Sequence, residues 1–261
     1  MKIGVIIPAA GQSKRFGSKD KLAEDLGGRP LLLRTVEFFT KREDVCEIVV
    51  AAPPESFETF QERFGPALSF HGVQIIQGGT KDRWESVQKS LPSISDQVDR
   101  IVIHDAARPA LFNSLFEKLL LASSQFSAVA AALPIQGTLK RVEKLSTTIG
   151  DEDAIADSIL GTTTQATVDA YCVIETVERS SLWELQTPQI FEPTLIRRAY
   201  EQADLQGCTD DAQVVEKLGE PVHLIHGDSR NIKVTTPSDY KLIQSILGVK
   251  GERERPAHKR F

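Results

Sequence analysis

The chain of 261 residues is poor in cysteine, with only Cys46, Cys172 and Cys208. Three is an odd number, the spacings are wide, and no C-x-x-C pair occurs. Neither a disulfide framework nor a zinc site is predicted, and reduced thiols in a cytoplasmic protein are. Positive charge is also in deficit: Lys and Arg total 31 against 36 Asp and Glu, for a formal net charge of −5. That excludes a general binder of nucleic acid or of anionic membranes. Long apolar runs are missing too, since none approaches the ~20 residues that span a bilayer. The apolar stretch before Pro8 is shorter than a signal-peptide h-region, so no targeting segment is expected. Two common nucleotide fingerprints are absent. There is no G-x-x-x-x-G-K-[ST], and Gly11 and Gly17, six apart, do not make G-x-G-x-x-G, which removes a dehydrogenase reading.

What is present is a regular alternation of strand-like and helix-like segments. Lys2–Ile7 is β-branched and stops at Pro8. Strands are also expected at Ile48–Ala52, Val73–Ile76, Arg100–His104, Ala128–Leu133 and Val222–Ile225. Helical spacing occupies the intervals. Pro30 stands at a first helical position before Leu32, Val36 and Phe39. Further helices are expected at Glu55–Phe64, Asp82–Leu91 (with Trp84, Val87 and Leu91 on one face), Leu111–Ser123 and Pro193–Ala203. Thr209 is read as the cap of the next helix, ahead of Asp210 and Asp211. Thr236-Pro237-Ser238-Asp239 opens a last helix that turns Leu242, Ile243, Ile246 and Leu247 to the core. The rhythm predicts an α/β fold: a mainly parallel twisted sheet with helices on both faces. It forms one domain over 1–247. Residues 136–180 break the rhythm and read as a protruding β-rich arm, and 248–261 as a flexible tail.

Chemistry concentrates in a few loops. Residues 8–22, PAAGQSKRFGSKDKL, follow the first strand with small residues that let a ligand approach the backbone. Lys14, Arg15, Lys19 and Lys21 add four cations there. In an acidic protein this local excess points to a phosphate site. HDAARP, 104–109, ends the fourth strand, where open parallel sheets bind ligands. Asp105 is the candidate for holding Mg²⁺ against phosphate oxygens. His104 reads as structural, whereas Arg108 is equally a phosphate ligand or a loop brace. QGGTKDRWESV, 77–87, places Gly78-Gly79 ahead of Arg83 and Ser86 at a helix start. VERSSLWELQTPQIF carries Arg179 and Thr187, and SRNIKVTTPSDY carries Lys233.

Taken in order, PAAG…R…K, GG…R..SV, HDAARP, GTLKR, LW…TPQ.F and NIKVT.P.D resemble the 2-C-methyl-D-erythritol 4-phosphate cytidylyltransferases over about Lys2–Leu247. The resemblance implies a dinucleotide-binding-like nucleotidyltransferase fold. It also implies transfer of CMP from CTP to a polyol phosphate, with Mg²⁺ and release of pyrophosphate, in non-mevalonate isoprenoid synthesis. It implies catalytic roles for Arg15, Lys21 and Lys233, with Lys19 as the alternative to Lys21. Ala9, Ala10, Gly11, Gly79, Arg83, Ser86, Asp105 and Ala106 would bind nucleotide, with Asp105 also facing the metal. Thr138, Arg179, Thr187 and Lys233 would hold the acceptor, the arm serving the partner's site in a homodimer. This chain departs from the pattern in having Asp20 where Pro is usual, Gly137 where Asp is frequent, and a longer arm within 144–176. The alternatives are a ribitol 5-phosphate cytidylyltransferase and a non-catalytic CTP-binding protein.

Overall fold

The first strand, β1 (Ile3–Pro8), buries every residue from Ile3 to Ile7. Alternate side chains serve different cores: Ile3, Val5 and Ile7 pack on one face of the sheet and Ile6 on the other. A strand apolar on both sides needs cover on both sides, as parallel sheets do. The structure, a computed structural model, describes residues 1–11, 14–17, 20–145 and 170–249.

Eight further strands follow: β2 (Val45–Ala52), β3 (Gln74–Gln77), β4 (Arg100–Ile103), β5 (Ala128–Pro134), β6 (Leu139–Leu145), β7 (Ala170–Val177), β8 (Trp183–Phe191) and β9 (His223–His226). Seven of these nine make one sheet in the order β3-β2-β1-β4-β8-β5-β9. β1 runs parallel to β2 and β4, β2 to β3, and β5 to β9. β8 runs antiparallel to β4. The helices are α1 (Leu31–Thr40), α2 (Phe57–Phe70), α3 (Arg83–Ser90), α4 (Asn113–Ser123), α5 (Pro193–Tyr200), α6 (Asp211–Lys217) and α7 (Pro237–Ile246). Phe39 of α1, Phe60 and Phe64 of α2, Phe116 of α4 and Ile243 of α7 fill the core on one face. Val87 of α3, Ile196 of α5 and Val215 of α6 fill the other. The predicted two-faced, mainly parallel sheet is therefore present.

The chain divides into two units, Met1–Leu133 with Leu185–Phe261, and Pro134–Glu184. The span read as an arm lies in the second unit. Its described part is an antiparallel ribbon of β6 and β7, with a register shift at Arg141/Val142. Val142, Tyr171, Val173 and Ile174 are exposed on this ribbon. The arm's longest departure from the family pattern, and most of the tail, lie outside the described residues.

Four local expectations are corrected. Pro30 is the residue before α1 rather than its first, and Leu31 begins the helix. The cap of α6 is Asp210, whose carboxylate accepts from the Gln213 N–H at 3.0 Å. Thr209 instead hydrogen-bonds the Gln213 side chain. Leu242 of α7 is exposed, so the core-facing stripe is carried by Ile243, with Ile246 and Leu247 packed at its edge. β8 has no counterpart among the expected strands. It hides Gln186, Thr187 and Gln189 among apolar neighbours, and each is hydrogen-bonded: Gln186 to the Asp228 carbonyl, Gln189 to Asp210, and Thr187 to the Asp105 N–H. Buried polar side chains satisfied in this way break the alternation that marks a strand in sequence. The last helix opens at Thr236 as expected, and the structure adds a capping box in which Thr236 Oγ accepts from the Asp239 N–H and the Asp239 carboxylate accepts from the Thr236 N–H.

The cap assignment can be checked by urea denaturation. Asp210→Ala should cost about 1–2 kcal/mol, because it removes the cap and also the partner of the Gln189 amide. Thr209→Ala should stay within roughly 0.5 kcal/mol of the parent. The reverse order would restore Thr209 as the cap.

Candidate active site

Strand order changes direction at β1 and β4: β1 leads outward to β2 and β3, and the chain then returns to place β4 on the other side of β1. Ligands of open α/β sheets bind outside the carboxyl ends of the strands at such a point. A cleft of about 530 Å³ lies there. Ala9, Ala10 and Gly11 line it after β1, Gly79 to Arg83 and Ser86 after β3, and Asp105 to Ala107 after β4. Arg15, Lys21, Lys233 and Thr235 complete it. All the expected catalytic and nucleotide-binding residues thus meet in one cleft. Lys19 lies outside the described residues.

Each loop is held by identifiable contacts. Asp20, which replaces the family's usual Pro, accepts from the Leu22 N–H at 3.0 Å and caps the single turn Lys21–Ala23. That turn presents Lys21, whose Nζ donates to the Val234 carbonyl at 3.1 Å. The Val234 N–H donates to the Ala107 carbonyl at 2.8 Å, docking the segment of Lys233 on the HDAARP loop. After β3, the Gly79 N–H donates to Ser86 Oγ at 2.9 Å, and Glu85 accepts from the Thr80 and Lys81 N–H groups. Any side chain at Gly79 would drive a Cβ into that of Glu85. Gly78 is similarly confined, since a Cβ there would stand 2.8 Å from Ala10 Cβ and Ser86 Oγ. This is the close approach that the paired glycines permit.

Asp105 is the electrostatic centre. Its Oδ1 lies 3.1 Å from Arg83 Nε. Its Oδ2 lies 3.2 Å from Arg108 Nε and 3.0 Å from Lys233 Nζ. Burial alone would push its pKa up, yet Arg83, Lys233 and Arg108 hold the carboxyl well below the usual carboxylate range. Lys21 is shifted down, first by burial and then by the facing Lys233 and Arg15, against the opposing pull of Asp105. Besides being buried, the ammonium thus faces two like charges, a repulsion that an incoming polyanion relieves. Arg83 is raised, because Asp211 and Asp105 outweigh its burial.

The remaining expected residues fall elsewhere. Thr187 is buried beside this cleft but does not line it. Its Oγ accepts from the Asp105 N–H at 3.0 Å and lies 3.2 Å from His104 Nδ1. His104 Nε2 lies 3.0 Å from the Arg108 carbonyl. A carbonyl only accepts, so Nε2 carries the proton and Nδ1 receives the Thr187 hydroxyl. His104 is therefore a neutral brace of the HDAARP loop, and Arg108 is another, donating to the Asn231 carbonyl at 2.7 Å. Thr138 and Arg179 are exposed in the second unit, where Arg179 hydrogen-bonds the Gln136 carbonyl. Sequence reasoning missed Asn231, whose side chain donates to the Thr187 carbonyl at 2.7 Å. It also missed Asp211 and Tyr200, which stand behind Arg83. Asp211 was visible only as a helix-start acid, and nothing in sequence pairs it with Arg83.

Among the described residues no group of three or more His, Cys, Asp or Glu could hold a metal. A carboxylate offers about four lone-pair positions, and three cations already contact Asp105. One position fits a divalent cation whose other ligands are phosphate oxygens and water.

Such a cleft, cationic around one carboxylate at the switch point of the sheet, defines an α/β nucleotidyltransferase. A family model described as 2-C-methyl-D-erythritol 4-phosphate cytidylyltransferase matches residues 3–156 and 150–249. The chain belongs to that family. The protein of that name from Bacillus mycoides (strain KBAB4) is 35% identical over 249 residues, 94% of this chain and 97% of that one. The one from Syntrophotalea carbinolica is 34% identical over 256 residues, 97% and 99% of the two chains. The crystal structure of the Thermus thermophilus cytidylyltransferase superposes with a TM-score of 0.69 at 29% identity, covering 95% of this chain and 100% of that chain. The 4-diphosphocytidyl-2C-methyl-D-erythritol synthase of Anaerococcus prevotii gives 0.70 at 26%, covering 95% and 98%.

The buried His104 generates a pH prediction. Burial depresses its pKa from 6.5 to about 4, against the Arg108 carbonyl hydrogen bond and Asp105. Between those values the unfolded chain takes up a proton that the folded one refuses. Stability from this group is therefore complete above pH 6.5 and falls as pH drops toward 4. The slope reaches at most about 1.4 kcal/mol per pH unit. Denaturation of parent and His104→Gln across that range should show the variant lacking this component. Parallel curves would mean that His104 is already charged in the fold.

Proposed function

We propose that this protein transfers CMP from CTP to 2-C-methyl-D-erythritol 4-phosphate, giving 4-diphosphocytidyl-2-C-methyl-D-erythritol and pyrophosphate. The observation that carries the proposal is the convergence of Arg15, Lys21, Lys233 and Asp105 on one cleft, in a chain of this family. The nucleophile is the acceptor's own phosphate, anionic at neutral pH, so no side chain has to be activated. The protein's task is to align three groups of like charge and to neutralise the charge that builds on the transferring phosphorus. Arg15 and Lys21 perform the second task on the triphosphate. Lys233, tethered by Asp105, is assigned to the reacting phosphates of both substrates. The nucleoside rests on the Ala9–Gly11 backbone and on the Gly79 turn.

Mg²⁺, held by Asp105 and phosphate oxygens, would supply a second charge-neutralising centre. Thr138 and Arg179 are assigned to the acceptor, whereas the Thr187 hydroxyl is taken up by the Asp105 N–H and His104 and braces the HDAARP loop. The apolar surface of Val142, Tyr171, Val173 and Ile174 favours an arm that a second copy covers, giving a homodimer. No helix of the described residues is long and apolar enough to cross a membrane, and the reduced cysteines favour the cytoplasm.

Pyrophosphate release from CTP and Mg²⁺, with methylerythritol phosphate and ribitol 5-phosphate as parallel acceptors, tests the reading. The methylerythritol compound should be the preferred acceptor by kcat/KM. Preference for ribitol phosphate would change the substrate assignment, and CTP binding without turnover on either would remove the enzyme assignment. Arg15→Ala and Lys21→Ala should each lower kcat by roughly 10³-fold while KM for CTP moves far less. Near-parental kcat in both would remove their catalytic assignment.

A further inference from the structure

The turn that presents Lys21 leans on α2. Asp20 opens that turn, Lys21–Ala23, with Oδ1 accepting from the Leu22 N–H at 3.0 Å. Its other oxygen, Oδ2, lies 3.2 Å from Arg63 Nη1, 43 positions further along the chain. Leu22 is buried in the same core as Phe60 and Phe64 of α2. Packing between turn and helix is nevertheless incomplete. A second cavity of about 500 Å³ is lined by Asp20 and Leu22 and by Phe60, Arg63 and Phe64. Leu22 lines the cationic cleft as well, so the turn has open space on two sides. Where close packing is lacking, position depends on specific polar contacts.

We propose that Arg63 is a positioning residue: acting through Asp20, it sets the turn that presents Lys21 to the transferring phosphate. The proposal rests on the CTP reading above. Half-exposed ion pairs are ordinarily weak, because two mobile side chains must be ordered to make them. Here the Leu22 N–H already holds Asp20, and Phe60 and Phe64 anchor α2, so only the Arg63 side chain has to be ordered. One carboxylate therefore performs two tasks, capping the turn with Oδ1 and bracing it against α2 with Oδ2. Arg63 lines the second cavity and not the cleft, so its influence on the reaction runs through Asp20. A group that acts in the transition state loses rate when it is misplaced by even ~1 Å. The brace is accordingly expected to act on kcat.

The test is a pair of double-mutant cycles read as kcat and KM for CTP, with the acceptor that the parent prefers at saturation. Asp20→Asn keeps the capping oxygen and loses the charge. Arg63→Ala and Asp20→Asn should each lower kcat by about threefold, with KM for CTP within about 1.5-fold of the parent. The double variant should be slower than either single one by no more than about 1.5-fold. In a Lys21→Ala background, Arg63→Ala should change kcat by less than about 1.5-fold, because the group it positions is gone. A merely structural role would slow the Lys21→Ala protein as much as the parent, and that result would overturn the proposal. Multiplicative losses in the cycle of Arg63 with Asp20, or parental kcat in Arg63→Ala, would overturn it as well. A parent protein that releases no pyrophosphate from CTP would instead overturn the cytidylyltransferase reading, and this proposal with it.

Discussion

One buried carboxylate organises this protein's chemistry. Asp105 lies at the carboxyl end of β4, enclosed and facing Arg83, Arg108 and Lys233. A lone charge there would be prohibitively desolvated, and three cations make it tolerable. The dependence runs the other way too. Without Asp105, three positive groups would repel one another across a narrow cleft. The carboxylate thus allows cations from the β3–α3 turn, the HDAARP loop and the segment before α7 to be packed together. Removing it by substitution would leave those charges uncompensated, which is why the loop around it carries so many braces: the Thr187 hydroxyl, the His104 ring and the Asn231 carbonyl.

The arrangement also leaves a surplus of positive charge. Among the described residues, Arg15 and Lys21 have no carboxylate in hydrogen-bond contact, and Lys21 donates to the Val234 carbonyl. Burial lowers its pKa, and the facing Lys233 and Arg15 lower it further. A triphosphate would supply the missing negative charge. Charge preorganised in this way stabilises a developing anion without reorganisation at the moment of transfer. It also reconciles an acidic chain with an anionic substrate, since the positive field is local rather than global.

Much of this is legible in the chain. The two-sided apolar character of β1 and the spacing of Leu32, Val36 and Phe39 predict a covered parallel sheet. Loops that follow parallel strands gather at one edge, so Ala9–Gly11, Gly79–Arg83 and Asp105 are expected together from sequence. What is hidden shares a physical character. β8 escapes because its buried positions include Gln186, Thr187 and Gln189, polar residues whose partners lie far along the chain. Asp211 looks like an ordinary acid at a helix start, since its pairing with Arg83 crosses 128 positions. The cap on α6 shifts by one residue because Thr209 and Asp210 are both good caps and only geometry chooses between them. Periodicity reports which face is apolar; it carries no record of long-range polar pairing.

The cationic cleft is proposed as the seat of a nucleoside triphosphate. A crystal structure of the protein with CTP and Mg²⁺ tests it most directly. The triphosphate should lie against Arg15, Lys21 and Lys233, with the nucleoside on the Ala9–Gly11 and Gly79 backbones. A nucleotide bound on any other surface, with this cleft holding only water, would overturn that placement.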